Sequence, residues 1–184
     1  MSAIDNEFDD FVISDYLLNL DIGNEISPYM LKQAEKLSKE MFDSTDNVNI
    51  IIVKLIILLI RMHEEKGYNF METNQFIKQC IFLLNQHQNN IFDWLMENQT
   101  TSQYIFFLGF LYYNGIIVDQ NSNEAFKLFS KASEDNYHIA QVYLSKCYQS
   151  GIGTEINSAL SITYLHNAVV YMDKLFLVIY MRMV

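Results

Sequence analysis

Two short motifs in this chain have residue types and spacing that could support chemistry. His63-Glu64-Glu65 begins like the helical His-Glu-x-x-His zinc site of metalloproteases, but Gly67 stands where the second histidine is required. Gly151-Ile152-Gly153-Thr154 resembles a phosphate-binding loop, yet it lacks the Gly-Lys-Ser/Thr ending and follows a predicted helix rather than a strand. Neither motif therefore predicts a metal site or a nucleotide site.

The other reactive side chains are scattered. The remaining histidines, His87, His138 and His166, lie far apart and near predicted helix ends, where solvated side chains are expected. No serine or cysteine lies in a known nucleophile context, and the paired carboxylates Asp9-Asp10 have no surroundings that would raise a pKa. We predict a non-enzyme without cofactor or metal, although a site assembled from distant segments would escape this test.

The two cysteines indicate the compartment. Cys80 and Cys147 each lie in an apolar helical pattern without a nearby partner, which favours two buried thiols over a disulfide or a metal pair. The acidic N-terminus has no basic segment before an apolar one, so it does not resemble a signal peptide. These features predict a cytoplasmic protein.

Charge argues against nucleic acids as partners. The formal net charge is −10, and seven acids precede the first base, Lys32. Such a field repels phosphates and anionic lipid surfaces. We expect no nucleic-acid partner.

Ile50–Ile60 is an apolar run broken by Lys54. It is about half the length of roughly 20 residues that a spanning helix needs, and charged residues come directly after it. We expect a helix buried in protein and no membrane insertion.

Helix start and stop signals divide the first half of the chain into predicted segments. Residues 1–26 are predicted to be an acidic lead-in, and residues 27–100 a helical bundle that forms an N-terminal cap to the second half of the chain. Four helices are expected in that bundle. Their predicted starts are Ser27 with Pro28, Asp46, Thr73, and Asn89 or Asn90.

The second half contains an internal repeat. Leu108–Ile116 and Leu144–Ile152 agree at an offset of 36 positions (144 minus 108), with a tyrosine and a glycine in register. Such a period is typical of stacked helical repeats.

Each repeat is predicted to contain two helices. The first, helix A, runs from about Gln103 to Asn114 and ends at Gly115, which can adopt the left-handed conformation. The second, helix B, runs from near Asn123 to about Ser133, with Asn136 as a left-handed terminator.

Three runs carry a family resemblance: Leu108–Ile116, Glu124–Ala132 and Ala140–Thr154. They resemble the Sel-like repeat, a slightly longer relative of the tetratricopeptide repeat. The resemblance implies an all-α fold in which the bundle leads into a short α-solenoid of antiparallel helix pairs at residues 101–170. It also implies a scaffold or adaptor that binds another protein or peptide, with signalling as a candidate setting.

The remaining residues depart from the family pattern. After Ala168 the expected third helix A is absent, and residues 171–184 form an atypical apolar tail. The layout also resembles fungal repeat proteins whose linker ends in a motif like Asp93-Trp94-Leu95, some with a kinase domain upstream. The alternative is therefore a regulatory fragment, or a truncated or decaying paralogue, of a kinase-linked repeat protein.

The tetratricopeptide pattern, placed on this chain, predicts the partner-binding side chains on the concave wall of helix A. They are Phe106, Phe110, Tyr113, Val142, Lys146 and Gln149. The competing interpretation is that Phe106 and Phe110 pack against the N-terminal helices.

Overall fold

The computed structural model describes residues 28–42, 46–66, 69–84 and 88–183. The lead-in at residues 1–26 and the predicted cap Ser27 lie outside them. The described residues form eight helices and no strand, which confirms the all-α prediction. In chain order the helices are α1 Pro28–Met41, α2 Val48–Lys66, α3 Phe70–Leu83, α4 Gln88–Glu97, α5 Ser102–Asn114, α6 Ser122–Ser133, α7 His138–Ser150 and α8 Ser158–Met183.

The chain divides into two compact units, Met1–Asn85 and Gln86–Val184. In the first unit, α3 packs against both α1 and α2. The apolar run on α2 supplies much of the core, with side chains such as Ile52, Leu55 and Leu59 fully buried. No helix among the described residues is both long and apolar enough to cross a membrane.

Lys54, which interrupts the apolar run, has a structural role in the first unit. Its Nζ donates to the Asp46 carboxylate at 2.7 Å and to the Met41 carbonyl at the end of α1 at 2.6 Å. A cation is favourable at the C-terminus of a helix, where carbonyls lack partners. Lys54 therefore joins α2 to the end of α1.

The same contact overturns one predicted cap. Asp46 was expected to cap α2, but its carboxylate pairs with Lys54, and Asn47 accepts from the Ile50 N–H at 3.0 Å instead. The predicted cap Thr73 is also wrong, because α3 begins at Phe70 with Asn69 as its cap. The Asn69 side chain already satisfies the first turn, and Thr73 is buried one turn later.

One histidine is enclosed in the first unit. His63 is fully buried, and its ring lies 5.2 Å from the ring of Phe70. Burial lowers the pKa of His63 to about 4, so the imidazole is neutral in the folded protein at physiological pH.

The second unit is a row of helices in which α4, α5, α6, α7 and α8 each pack on the next. The predicted helix ends are confirmed here. Gly115, Gly151 and Asn136 have φ values of 59°, 69° and 57°, all left-handed. Helix α6 begins at Ser122, capped by the Asn121 side chain, just before the predicted start at Asn123.

Small side chains set the spacing between the two helices of each pair. A Cβ on Gly109 would lie 2.9 Å from the Phe129 ring, so only glycine allows α5 and α6 this approach. At the equivalent place in the second pair, the hydroxyls of Ser145 and Ser161 are hydrogen bonded at 3.1 Å. Helix α8 then continues unbroken past Ala168 to Met183, so the apolar tail extends the last helix of the array.

Candidate partner-binding surface

The six predicted binding residues form three pairs related by the 36-residue register. Phe106 corresponds to Val142, Phe110 to Lys146, and Tyr113 to Gln149. The structure buries Phe106, Phe110 and Val142 and leaves the other three at least partly exposed.

Phe106 lies in the interior of the second unit. Its ring centroid is 5.2 Å from that of Tyr143 on α7 and 5.6 Å from that of Phe129 on α6. The Phe110 ring stacks on Phe107 at 5.8 Å and meets Tyr143 edge-on at 6.1 Å. The large rings of α6 and α7 close over this part of α5, so these two phenylalanines form core and offer no surface to a partner.

Tyr113 lies at the boundary between core and surface. Its ring meets Tyr143 edge-on at 5.6 Å, and the side chain remains partly exposed. Burial raises the pKa of Tyr113 to about 12, and the electrostatic interaction with Cys147 contributes a smaller part of the increase. The hydroxyl therefore stays protonated and can donate a hydrogen bond at physiological pH.

Lys146 and Gln149 lie one turn apart on α7, and the Lys146 Nζ is 3.4 Å from the Gln149 Oε1. We call Tyr113, Lys146 and Gln149 the helix-A surface. These residues offer an aromatic ring, a cation and an amide, which can bind carboxylates and peptide groups.

Sequence reasoning missed Gln120, whose amide donates to the Tyr113 carbonyl at 2.9 Å. Asn114 donates in the same way to the Phe110 carbonyl at 2.9 Å. The Gln120 bond satisfies a carbonyl at the very end of α5, where a helical partner is lacking, and the Asn114 bond adds a second contact one turn earlier, so the two bonds help fix the backbone that carries Tyr113. Gln120 lies in a connecting segment, where no periodic pattern could have identified it.

Burial makes the two cysteine thiols unreactive. Cys80 and Cys147 are buried free thiols, as predicted, and burial raises the pKa of each to about 12. Within the described ranges, no group of three or more His, Cys, Asp or Glu side chains could hold a metal ion.

Comparison with known proteins identifies the array. The Sel1 repeat family model matches residues 102–137 and 138–169. A structural match is the crystal structure of a Sel1 repeat protein from Oxalobacter formigenes, with 16% sequence identity and a TM-score of 0.40 over 83% of this chain and 98% of that chain. No curated protein matches the sequence. The first matched segment spans α5 and α6, and the second spans α7 and the start of α8. The second unit of this chain thus carries two consecutive Sel1 repeats, which are generally modules of protein–protein interaction.

Proposed function

We propose that this protein is a non-enzymatic scaffold or adaptor that binds another protein or peptide through the helix-A surface. Sel1 repeats support binding as the general role. The observation that carries the choice of surface is that Gln149 on α7 is exposed, while Lys146 on α7 and Tyr113 on α5 are partly exposed.

Lys146 indicates the chemistry of the partner. It is the only Lys or Arg on α7, and the helix contains no Asp or Glu, although the whole chain has a net charge of −10. A lysine ammonium group at this position favours a partner that presents a carboxylate. The Gln149 amide oxygen lies 3.4 Å from the Lys146 Nζ, and both this amide and the Tyr113 hydroxyl can bond to peptide groups.

The proposal includes a cytoplasmic setting and a role in assembling signalling complexes. The two free thiols support a reducing compartment, since cysteines of proteins in oxidising compartments are commonly joined in disulfides. Fractionation of cells that express the tagged chain tests this point, and recovery in a secreted fraction would contradict it.

The experiment is affinity capture with the full chain and two charge-reversed variants. Lys146→Glu should lose the partner, whereas Lys127→Glu should retain it. Lys127 is the matched control because it is an exposed lysine on α6, outside the helix-A surface. With the captured partner purified, Lys146→Glu should weaken binding by about 1–3 kcal/mol, as expected for a charged interface contact.

Thermal unfolding of both variants must match the parent chain, because only then does the comparison report on binding. A partner that binds Lys146→Glu with unchanged affinity would remove the helix-A surface from the proposal. A protein captured equally by all three chains would be bound elsewhere.

A further inference from the structure

One side of α2 in the first unit leaves apolar side chains exposed. Ile50, Val53 and Ile57 all belong to the apolar run Ile50–Ile60, yet they are 41%, 39% and 38% exposed. Their spacing of three and then four residues places them on one face of the helix, together with Lys54. We call Ile50, Val53, Lys54 and Ile57 the α2 strip. A row of exposed aliphatic side chains on one helix face marks a contact site.

The charge of α2 shows what kind of segment the strip can accept. From Val48 to His63 the helix contains no Asp or Glu, and its two charged residues are Lys54 and Arg61. Lys54 lies within the strip and binds the Asp46 carboxylate, and Arg61 follows Ile57 by one turn. The helix therefore offers an apolar surface with cations at the strip and one turn beyond it, which is complementary to an acidic segment with apolar side chains.

The acidic lead-in at residues 1–26 has this composition. It contains seven acids and no base, whereas residues 27–85 contain seven of each, so the lead-in supplies the whole net charge of the first unit. The lead-in also has four apolar residues at the spacing of one helical face, with Asp15 between them in the sequence and on the opposite side. These four residues are Ile13, Tyr16, Leu17 and Leu20.

The lead-in is attached where it can reach the strip. It precedes α1, which begins at Pro28, and the Lys54 Nζ binds the Met41 carbonyl at the other end of α1 at 2.6 Å. Helix α1 has 14 residues and is therefore about 21 Å long. Residues 21–27 can span up to about 25 Å when extended, which is enough to pass the length of α1.

We propose that the acidic lead-in packs on the α2 strip, with its apolar face against Ile50, Val53 and Ile57 and its acids toward solvent. The lead-in then covers the exposed part of the apolar run, and any partner that binds the strip has to displace it. This contact involves no residue of the helix-A surface, so the failure of one proposal would leave the other unaffected.

Thiol labelling of the full chain tests whether the strip is covered. A cysteine introduced by Val53→Cys should react slowly with a maleimide reagent. Adding Leu17→Glu should accelerate its labelling at least about tenfold, because a charge cannot be buried in the apolar contact without cost. Phe82→Cys is the matched control, since Phe82 is 63% exposed on α3 of the same unit and its labelling should not depend on Leu17→Glu. The native Cys80 and Cys147 are buried and should not compete.

A disulfide between the two segments gives an independent result. Leu17→Cys combined with Val53→Cys should form a crosslink within one chain under mild oxidation, because facing side chains across a contact are close enough for a disulfide. Leu17→Cys combined with Phe82→Cys should stay reduced under the same conditions. Mass spectrometry of the digested monomer identifies the linked peptides. This measurement decides the matter if Leu17→Glu disturbs the fold.

Three results would overturn the proposal. The labelling rate of Val53→Cys could be the same with and without Leu17→Glu in folded chains. The two cysteine pairs could crosslink equally, which would mean that the lead-in has no preference for the strip. Finally, the labelling of Val53→Cys could become slower as the protein concentration rises, which would assign the strip to contact with a second copy.

Discussion

The two Sel1 repeats share one backbone plan but differ in what surrounds them. Gly115 and Gly151 end the first helix of each repeat in the same left-handed conformation. Yet Phe129 in the first repeat is fully buried, whereas its equivalent Leu165 in the second is 46% exposed. The plan of a repeat is therefore local, while the burial of its side chains depends on the next helix in the array.

The turns after the first helices show the same contrast. Gly153 and its register equivalent Ile117 both have positive φ, 68° and 66°. A Cβ on Gly153 would overlap the Ser122 carbonyl of the first repeat, so this turn packs directly on the backbone of the neighbouring repeat. At Ile117 a β-branched residue adopts a conformation that normally favours glycine.

The largest effect should come from Gly153→Ala. The added methyl group clashes with the Ser122 backbone and also strains the left-handed turn, so we expect a loss of about 3–5 kcal/mol in the free energy of unfolding. Gly115→Ala is the matched control. The φ of Gly115 is also positive, but an added Cβ there would lie 3.4 Å from its nearest neighbour. This variant should therefore lose only about 1–2 kcal/mol of unfolding free energy, from backbone strain alone. If denaturant unfolding gave equal losses for the two variants, the contact of Gly153 with the Ser122 backbone would add nothing to the cost of the substitution.

The buried hydroxyl pair of the second repeat should show non-additive behaviour. Ser145→Ala leaves the Ser161 hydroxyl buried without its partner and should cost about 1–2 kcal/mol. Adding Ser161→Ala should recover much of that loss, because the double variant then has small apolar or absent side chains at both positions, like Gly109 and Ala125 at the equivalent positions of the first repeat. Urea unfolding of the parent chain, the two single variants and the double variant measures the coupling, and strictly additive losses would mean that the hydroxyls do not depend on each other.

Exchanging the strained residue for the one found in the second repeat should stabilise the protein. Ile117→Gly relieves about 1–2 kcal/mol of left-handed strain and costs about 0.5–1 kcal/mol through the added freedom of the unfolded chain. We expect a net gain of about 0.5–1 kcal/mol. A decrease in the melting temperature would instead show that the partly exposed Ile117 side chain contributes more by packing than its backbone costs.

The smallest effect should be a difference in acid sensitivity between the repeats. Burial lowers the pKa of His138 in the second repeat, where the first repeat has Ser102. The unfolded chain therefore takes up the proton first. Stability is complete above a pH of about 6.5 and falls as the pH drops below it.

His138→Ser should flatten this decline, measured as unfolding free energy against pH. The lowered pKa of His63 in the first unit also reduces the unfolding free energy at acid pH, but equally in the parent chain and in His138→Ser. The difference between the two pH profiles therefore isolates His138. Parallel pH profiles would contradict the assignment.

Local chemistry made much of the array predictable. The 36-residue register, the glycine ends of α5 and α7, and the left-handed Asn136 could all be read from the sequence. These features depend on one residue and its immediate chain neighbours, because a left-handed turn favours glycine or asparagine wherever it occurs.

Caps that compete with tertiary contacts could not be predicted in the same way. Asp46 has the right chemistry to cap α2, but Lys54 binds its carboxylate in the folded unit. The exposed Asn47 then takes the capping role. A side chain with several possible partners binds the one that the fold brings close to it, and the sequence alone does not show which partner that is.

The candidate site also has a part that the sequence predicted and a part that only the tertiary structure decided. Sequence alone identified helix A as the element that carries it and named Tyr113, Lys146 and Gln149. Only the tertiary structure decided that Phe106 and Phe110 are core, because the rings that cover them lie on other helices, more than a dozen residues away in the chain. Periodicity predicts which residues share a helix face, but the face that is buried depends on what packs against it.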